Sequence, residues 1–259
     1  MSAHHDESRW SWKPDPRVRA LAARAVDLIF PPHALDQAPQ PQTPGMSSDA
    51  WSRVRFIAEP LCDGCGAPFE YAMADRCAAC LARPRAFARA RAACLYDDHS
   101  RDLILQFKHA DRLDLAPLFA SWLGRAAADL IAEADVVAPV PLHPGRLFRR
   151  RYNQSAEIAR PLARRYRLAY LPEALKRRKA TETQAGKSAS GRRRNVAGAF
   201  EVPHRQKARI EGRRILLIDD VLTTGATAEA CAKALLKAGA SAVDLATVAR
   251  VRDAAEQPI

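Results

Sequence analysis

The stretch ILLIDDVLTTGAT, Ile215 to Thr227, runs four aliphatic residues into two adjacent carboxylates, Asp219 and Asp220, and then into a turn rich in Thr and Gly. A strand that stops at acidic residues, a turn and a helix together bring unpaired backbone N–H groups to one point, which suits a phosphate. Thr223, Thr224 and Thr227 add hydroxyl donors, Ala226 begins the predicted helix, and Gly225 removes the side chain where a phosphate must come close. The sequence has no Gly-x-x-x-x-Gly-Lys-Ser/Thr, so triphosphate hydrolysis is not indicated. Ionised aspartates only accept hydrogen bonds, and vicinal hydroxyls donate them. A ribose 5-phosphate therefore fits both halves: phosphate in the turn, 2′ and 3′ hydroxyls on the aspartates. A divalent metal bound to those hydroxyls is favoured by the same negative charge. The alternative for an Asp pair is helix capping or pairing with a nearby arginine.

A second chemical signal lies upstream. Cys62-Asp-Gly-Cys65-Gly is followed, after eleven residues, by Cys77-Ala-Ala-Cys80. Two such pairs can wrap four thiolates tetrahedrally around one zinc, and a four-Cys site is closed, hence structural rather than catalytic. The alternatives are two redox dithiols or unrelated buried cysteines. Cys94 and Cys231 fall on a predicted strand and a helical stripe and read as small core residues.

The chain carries a net charge of +12, concentrated in one segment: Pro144 to Arg214 has 21 Lys and Arg against five Glu. Such a segment suits anionic partners, phosphorylated metabolites or nucleic acid, or else is a solvated face. No apolar run approaches the ~20 residues that span a membrane. The first residues, MSAHHDESRWSWKPDP, lack the basic-then-apolar order of a signal peptide. The expectation is a cytoplasmic protein with no membrane partner, in which clustered cysteines serve a metal rather than disulfides.

The elements that must position these groups follow from hydrophobic periodicity. A disordered tail is expected over 1–14, and a helix (Asp15–Phe30) with a Pro/Gln-rich linker over 15–50. A four-cysteine module follows over 51–88, then an α/β domain over 89–252. In the last, strands are expected at Ala90–Tyr96, Val136–Val140, Ile215–Ile218 and Ala242–Val248. Helices are expected at His99–Lys108, Asp114–Glu133, Gln154–Arg167 and Ala226–Ala238, the last closed by Gly239. Arg177–Asn195 is polar, basic and poor in apolar residues, and reads as a mobile loop. Alternating strands and helices favour a mainly parallel sheet flanked by helices.

Residues 215–227 resemble the phosphoribosyl pyrophosphate (PRPP) binding motif of type I phosphoribosyltransferases. CDGCGAPF (62–69) with its second cysteine pair, VVAPVPLHPGRLFRRRYNQS (136–155), RRKATETQ (177–184) and RRRNVAGAF (192–200) resemble one branch, the ComF/GntX-type proteins associated with DNA uptake and competence. The resemblance covers about Pro60 to Val248. It implies a type I phosphoribosyltransferase-like fold with a small hood and an N-terminal zinc module. Asp219 and Asp220 would then hold the ribose diol, and Thr223, Thr224, Gly225, Ala226 and Thr227 the 5-phosphate. Pro141, Leu142, His143 and Arg146 would meet the pyrophosphate, and Arg177–Asn195 would close over it. The sequence also departs from the family. Related chains often carry two more cysteine pairs, where this one has PPHALDQ (31–37) and GMSSDAW (45–51), so one zinc rather than two is expected. Arg151 stands where the family pattern has glycine, a change that bears on the backbone of Asn153 and Gln154.

An enzyme of this kind takes PRPP with Mg²⁺ and works by orientation and by stabilising charge on the departing pyrophosphate. Arg146, Arg150, Arg177 and Lys187 are candidates for the second task. The competing reading is a non-catalytic binding protein whose basic segment and zinc module contact single-stranded DNA or a helicase-type partner.

Overall fold

The computed structural model describes residues 46–71, 74–109, 112–178 and 198–252. The predicted tail, the helix Asp15–Phe30, nearly all of the linker, and most of the Arg177–Asn195 loop with Lys187 lie outside the described residues. From Ser48 onward the chain forms one compact unit. In chain order, α1 (Ser48–Arg53) and α2 (Ala78–Ala82) precede β1 (Ala90–Leu95). Helices α3 (Asp98–His109), α4 (Leu115–Ala126) and α5 (Ala128–Glu133) lead to β2 (Val136–Pro139). Helices α6 (Pro144–Arg150) and α7 (Gln154–Tyr166) lead to β3 (Ala169–Tyr170). Short β4 (Lys176–Arg177), β5 (Phe200–Glu201) and α8 (Lys207–Ile210) precede β6 (Arg214–Leu222), α9 (Ala226–Lys237) and β7 (Ala242–Arg250).

Five strands form a parallel sheet in the order β1-β7-β6-β2-β3. Ile215 to Ile218 and Val243 to Arg250 are all buried, as the unbroken apolar run of Ile215–Ile218 requires, while β7 also buries Asp244, Thr247 and Arg250: helices cover both faces. The amphipathic α7 buries Ile158, Ala159, Leu162 and Ala163, while α9 buries Cys231, Ala232 and Leu235 in the cluster that includes Ile215, Leu217 and Leu245. Ile158, Leu162 and Leu235 each contribute about 1.5–3 kcal/mol by leaving water. Cys94 and Cys231 are buried, as expected of small core residues.

The strand order fixes where a ligand can sit. After β2 the chain crosses to β3 on one side, and after β6 it crosses to β7 on the other. The β2/β6 boundary is thus a topological switch point, and the crevice beyond the C-terminal ends of strands at such a point is where open α/β sheets take ligands.

Two sequence expectations are corrected. The single helix over Asp114–Glu133 is broken at Ala127 into α4 and α5. The Tyr166 hydroxyl donates to the Gly124 carbonyl at 3.1 Å, taking an acceptor the last turn would use, and an added Cβ at Gly124 would stand only 2.4 Å from that hydroxyl. The strand expected to stop at Ile218 continues to Leu222, because Asp219 pairs with Thr247 and Val221 with Ala249 on β7.

The cysteine segment joins this sheet directly. Ile57 N–H donates to Ala93 O and Leu95 N–H to Arg55 O, both at 2.9 Å, so residues 55–57 extend along β1. From the sheet, Arg91 reaches Asp63 Oδ1 at 2.7 Å and buried Arg250 reaches Cys65 O at 3.3 Å.

Candidate functional site

Asp219 and Asp220 stand near the C-terminal end of β6, one strand from the end of β2. The Ser155 hydroxyl donates to Asp219 Oδ1 at 3.0 Å, and the Asp220 N–H donates to the same oxygen at 3.0 Å. Lys108 Nζ, from the end of α3, lies 3.0 Å from Asp220 Oδ2. Burial, and secondly the charge of Asp220, push the Asp219 carboxyl up to about 7. Asp219 is therefore held short of full ionisation at neutral pH, and a cation or a set of hydroxyl donors would draw its charge out.

Beyond the pair the backbone bends and α9 begins at Ala226. Gly225 takes φ 75°, a left-handed conformation that glycine adopts without strain. The Thr224 Oγ accepts from the Ala226 N–H at 3.4 Å, so the turn is partly self-braced. It is also braced from outside. The Arg85 guanidinium donates to the Thr224 carbonyl at 2.8 Å, and a Cβ on Gly225 would come within 3.1 Å of that guanidinium. Buried Glu229, in the first turn of α9, accepts from Arg83 at 3.2 Å and lies 3.9 Å from Arg85 and 3.6 Å from Lys233. Arg83 and Arg85 follow directly on the cysteine segment, so they connect it to the phosphate-type turn.

On the β2 side, Val140 N–H donates to Ile218 O at 2.9 Å, which carries Pro141, Leu142 and His143 out of the sheet beside the aspartates. His143 caps α6, its Nδ1 accepting from the Gly145 N–H at 3.2 Å, which is a structural role. Arg146 and Arg150 lie on α6. Arg177, expected at the start of a loop, instead forms β4 with Lys176, pairs through it with Phe200 and stacks on that ring at 5.4 Å. Burial, then repulsion from Arg146, lower the Arg177 pKa, while attraction to Asp219 opposes them. Arg177, Arg146 and Asp219 thus share one electrostatic neighbourhood.

Residues 152–155 tie the site's parts together. Tyr152 donates to Phe107 O at 2.6 Å and Asn153 to Val140 O at 3.0 Å, while Gln154 Nε2 lies 3.5 Å from Lys108 O. Asn153 also caps α7 by accepting from the Ser155 N–H. The Asn153 side chain thus fixes backbone on both sides, and that of Gln154 stands beside the Lys108 carbonyl. Arg151, in the family's glycine position, keeps the left-handed geometry with φ 64° at a cost of about 1–2 kcal/mol for a side-chain-bearing residue. Ser155, Lys108 and Arg85 escaped sequence reasoning. Only Ser155 carried a signal, its place beside Asn153 and Gln154.

The four cysteines converge: their sulfurs all lie within 4.8 Å of one another, with Cys65 and Cys77 at 3.7 Å. Sulfurs at ~2.3 Å from a shared zinc stand about 3.8 Å apart, so the set fits that ion. Cys62 Sγ accepts from the Cys77 N–H at 3.2 Å, and Arg250 Nη1 stands 3.7 Å from Cys65 Sγ, both suited to thiolate charge. A Cβ on Gly64 would come within 3.2 Å of Cys80 Sγ, so glycine gives that sulfur room. Among the described residues this cluster is the group of Cys, His, Asp or Glu side chains that could hold a metal ion, and no described helix is long and apolar enough to cross a membrane.

The phosphoribosyl transferase domain family matches residues 153–259. Over 199 residues the chain is 33% identical to DNA utilization protein YhgH of Escherichia coli K12, covering 75% of this chain and 86% of that protein. Over 211 residues it is 32% identical to competence protein F of Haemophilus influenzae Rd, covering 80% of this chain and 90% of that protein. It is also similar to the solved glutamine PRPP amidotransferase from B. subtilis, at 21% identity and a TM-score of 0.36 over 56% of this chain and 30% of that one, a likeness too slight to add weight. With the parallel sheet, the acidic pair and the Thr/Gly turn in place, these relatives establish that the chain belongs to the ComF/GntX-type family of phosphoribosyltransferase-like proteins.

Proposed function

We propose that the protein binds PRPP, or a related ribose 5-phosphate ligand, and transfers the phosphoribosyl group to a nucleophilic acceptor in a DNA-uptake or DNA-utilisation process within the cytoplasm. One observation carries the reading: the β6 carboxylates and the Gly225 turn open side by side at the sheet's switch point. The 5-phosphate sits on the Thr223–Thr227 turn and the N-terminus of α9. The ribose diol donates to Asp219 and Asp220. Pyrophosphate lies toward Pro141–His143 with Arg146 and Arg177, whose mutual repulsion an anion relieves. Mg²⁺ that PRPP brings would be held on the diol hydroxyls, favoured by the negative charge of the aspartates, and would offset pyrophosphate charge. In transfer, the bond from C1′ to pyrophosphate breaks with its electron pair on the leaving oxygen. The acceptor's lone pair forms the new bond to C1′, and its proton passes to solvent. The protein's share is to hold both partners in line and to stabilise the leaving charge. The cysteine cluster holds one structural zinc.

A second reading keeps the pocket for binding alone and assigns DNA handling to the basic face. It is favoured by Phe148 of α6, which is 91% exposed in a run of arginines and free to stack on a base. Titration with PRPP-Mg²⁺ and with single-stranded DNA, at two salt concentrations, tests both. Asp219→Asn/Asp220→Asn is expected to abolish PRPP binding and leave DNA affinity steeply salt-dependent. Failure of the wild type to bind PRPP would sink the pocket reading, and pyrophosphate release against amine and base acceptors separates transfer from binding.

A further inference from the structure

We infer that Lys108 is a built-in counter-cation of the acidic pair, allowing the ribose diol to bind without a divalent metal. The inference deepens the ribose 5-phosphate reading and rests on it. Lys108 Nζ meets Asp220 Oδ2 at 3.0 Å, and both side chains are mostly buried, at 18% and 17% exposure. That oxygen is one that a diol or a metal would use, and an ammonium and a divalent ion on one carboxylate oxygen repel each other. The side chain is delivered by a fixed backbone. Fully buried Phe107 packs edge-on against Phe119, with centroids 5.2 Å apart, and its carbonyl accepts from Tyr152 at 2.6 Å. Gln154 Nε2 stands 3.5 Å from the carbonyl of Lys108 itself. The segment that carries Ser155 to Asp219 therefore also carries Lys108 to Asp220. An ammonium has three protons to donate, so it can keep one on Asp220 while the diol takes the remaining lone pairs of the two carboxylates. A divalent ion must instead displace it.

Ribose 5-phosphate is the probe, because without a pyrophosphate it brings little cation of its own. Calorimetric titration of the full chain is run with Mg²⁺ and with chelator, for wild type, Lys108→Met, Lys108→Gln and Lys108→Arg. In wild type, Mg²⁺ is expected to change affinity by less than about threefold. Lys108→Met and Lys108→Gln are expected to bind only with Mg²⁺, a dependence of about thirtyfold or more. Lys108→Arg, which keeps the charge, is expected to behave as wild type. Circular dichroism and zinc content confirm folding, and the two neutral variants guard against one misfolding. Equal and strong Mg²⁺ dependence in wild type and neutral variants overturns the role of Lys108 and leaves the ligand reading standing. Absence of wild-type binding with or without Mg²⁺ overturns both.

Discussion

The Arg85 guanidinium donates to the Thr224 carbonyl at 2.8 Å across 139 residues of sequence. This bond holds the phosphate-type turn from outside, and the same side chain lies 3.9 Å from buried Glu229 in the turn's own helix. Arg85→Ala is expected to weaken ribose 5-phosphate and PRPP binding about tenfold, the usual worth of one charge-assisted hydrogen bond. Zinc content should not change, since Arg85 is not among the cysteine ligands. Calorimetry with metal analysis checks both. Unchanged affinity would mean that the turn is rigid without its brace.

The Asp219 carboxyl, at about 7 against an ordinary 3.8, gives the site a pH dependence. Burial and Asp220 raise it, the Asp220 amide and the Ser155 hydroxyl pull it down, and Lys108 pulls it down less. Arg177 and Cys231 face it as well. A raised carboxyl binds its proton more tightly when folded, so its stabilising contribution is complete below pH ~4 and is lost as pH rises through about 7. Asp219→Asn, which keeps an acceptor for Ser155, should therefore be more stable than wild type above pH 7, by up to ~4 kcal/mol. The gain should shrink toward pH 4. PRPP affinity, which needs the ionised pair, should rise in wild type between pH 6 and 8. Denaturant melts between pH 4 and 8 test the first expectation, and a flat difference between the two proteins would refute it.

The zinc expectation is equally specific. One ion per chain should be found, and removing it by chelation or by Cys80→Ser should cost several kcal/mol or more, structural zinc binding being worth about 10–16 kcal/mol. Arg83 and Arg85 leave the cysteine segment within five residues of Cys80, so ligand affinity at the turn should fall along with metal content. A stoichiometry of zero or two contradicts the single-site reading. Full ligand affinity in the zinc-free protein would show that the two sites are uncoupled.

What could be read from sequence was what lies consecutively along the chain. The β6 run, the aspartates, the Gly225 turn and α9 are contiguous, and each carries its own signature: an apolar run, an acid pair, a left-handed glycine, a helical stripe. The cysteine quartet was equally local. Lys108, Ser155 and Arg85 were invisible because nothing about them is unusual where they stand. Lys108 closes an ordinary amphipathic helix, and Arg85 lies in a run, LARPRAF, that only folding brings to Thr224. The break at Ala127 was hidden for the same reason: it is imposed by Tyr166, from another helix. Asn153 also holds a backbone contact that its sequence position did not reveal, donating to Val140 O.

Phe148 separates the two functional readings. It is a large apolar side chain at 91% exposure, with Leu147 beside it at 42%, in a segment of arginines that contributes nothing to the core at this point. If the basic face handles single strands, Phe148→Ala should weaken binding of a single-stranded oligonucleotide by about 1–3 kcal/mol, the worth of one stacked base. The slope of affinity against salt should be unchanged, because no phosphate contact is lost. Arg150→Ala should do the opposite, lowering the slope by about one counterion. PRPP affinity should survive the Phe148 change, since Asp219, Asp220 and the Gly225 turn are untouched. Fluorescence anisotropy with a labelled oligonucleotide at several salt concentrations gives all three quantities. Oligonucleotide affinity that ignores Phe148 but tracks Arg150 would leave a purely electrostatic surface. Affinity that ignores both would remove α6 from the DNA reading altogether.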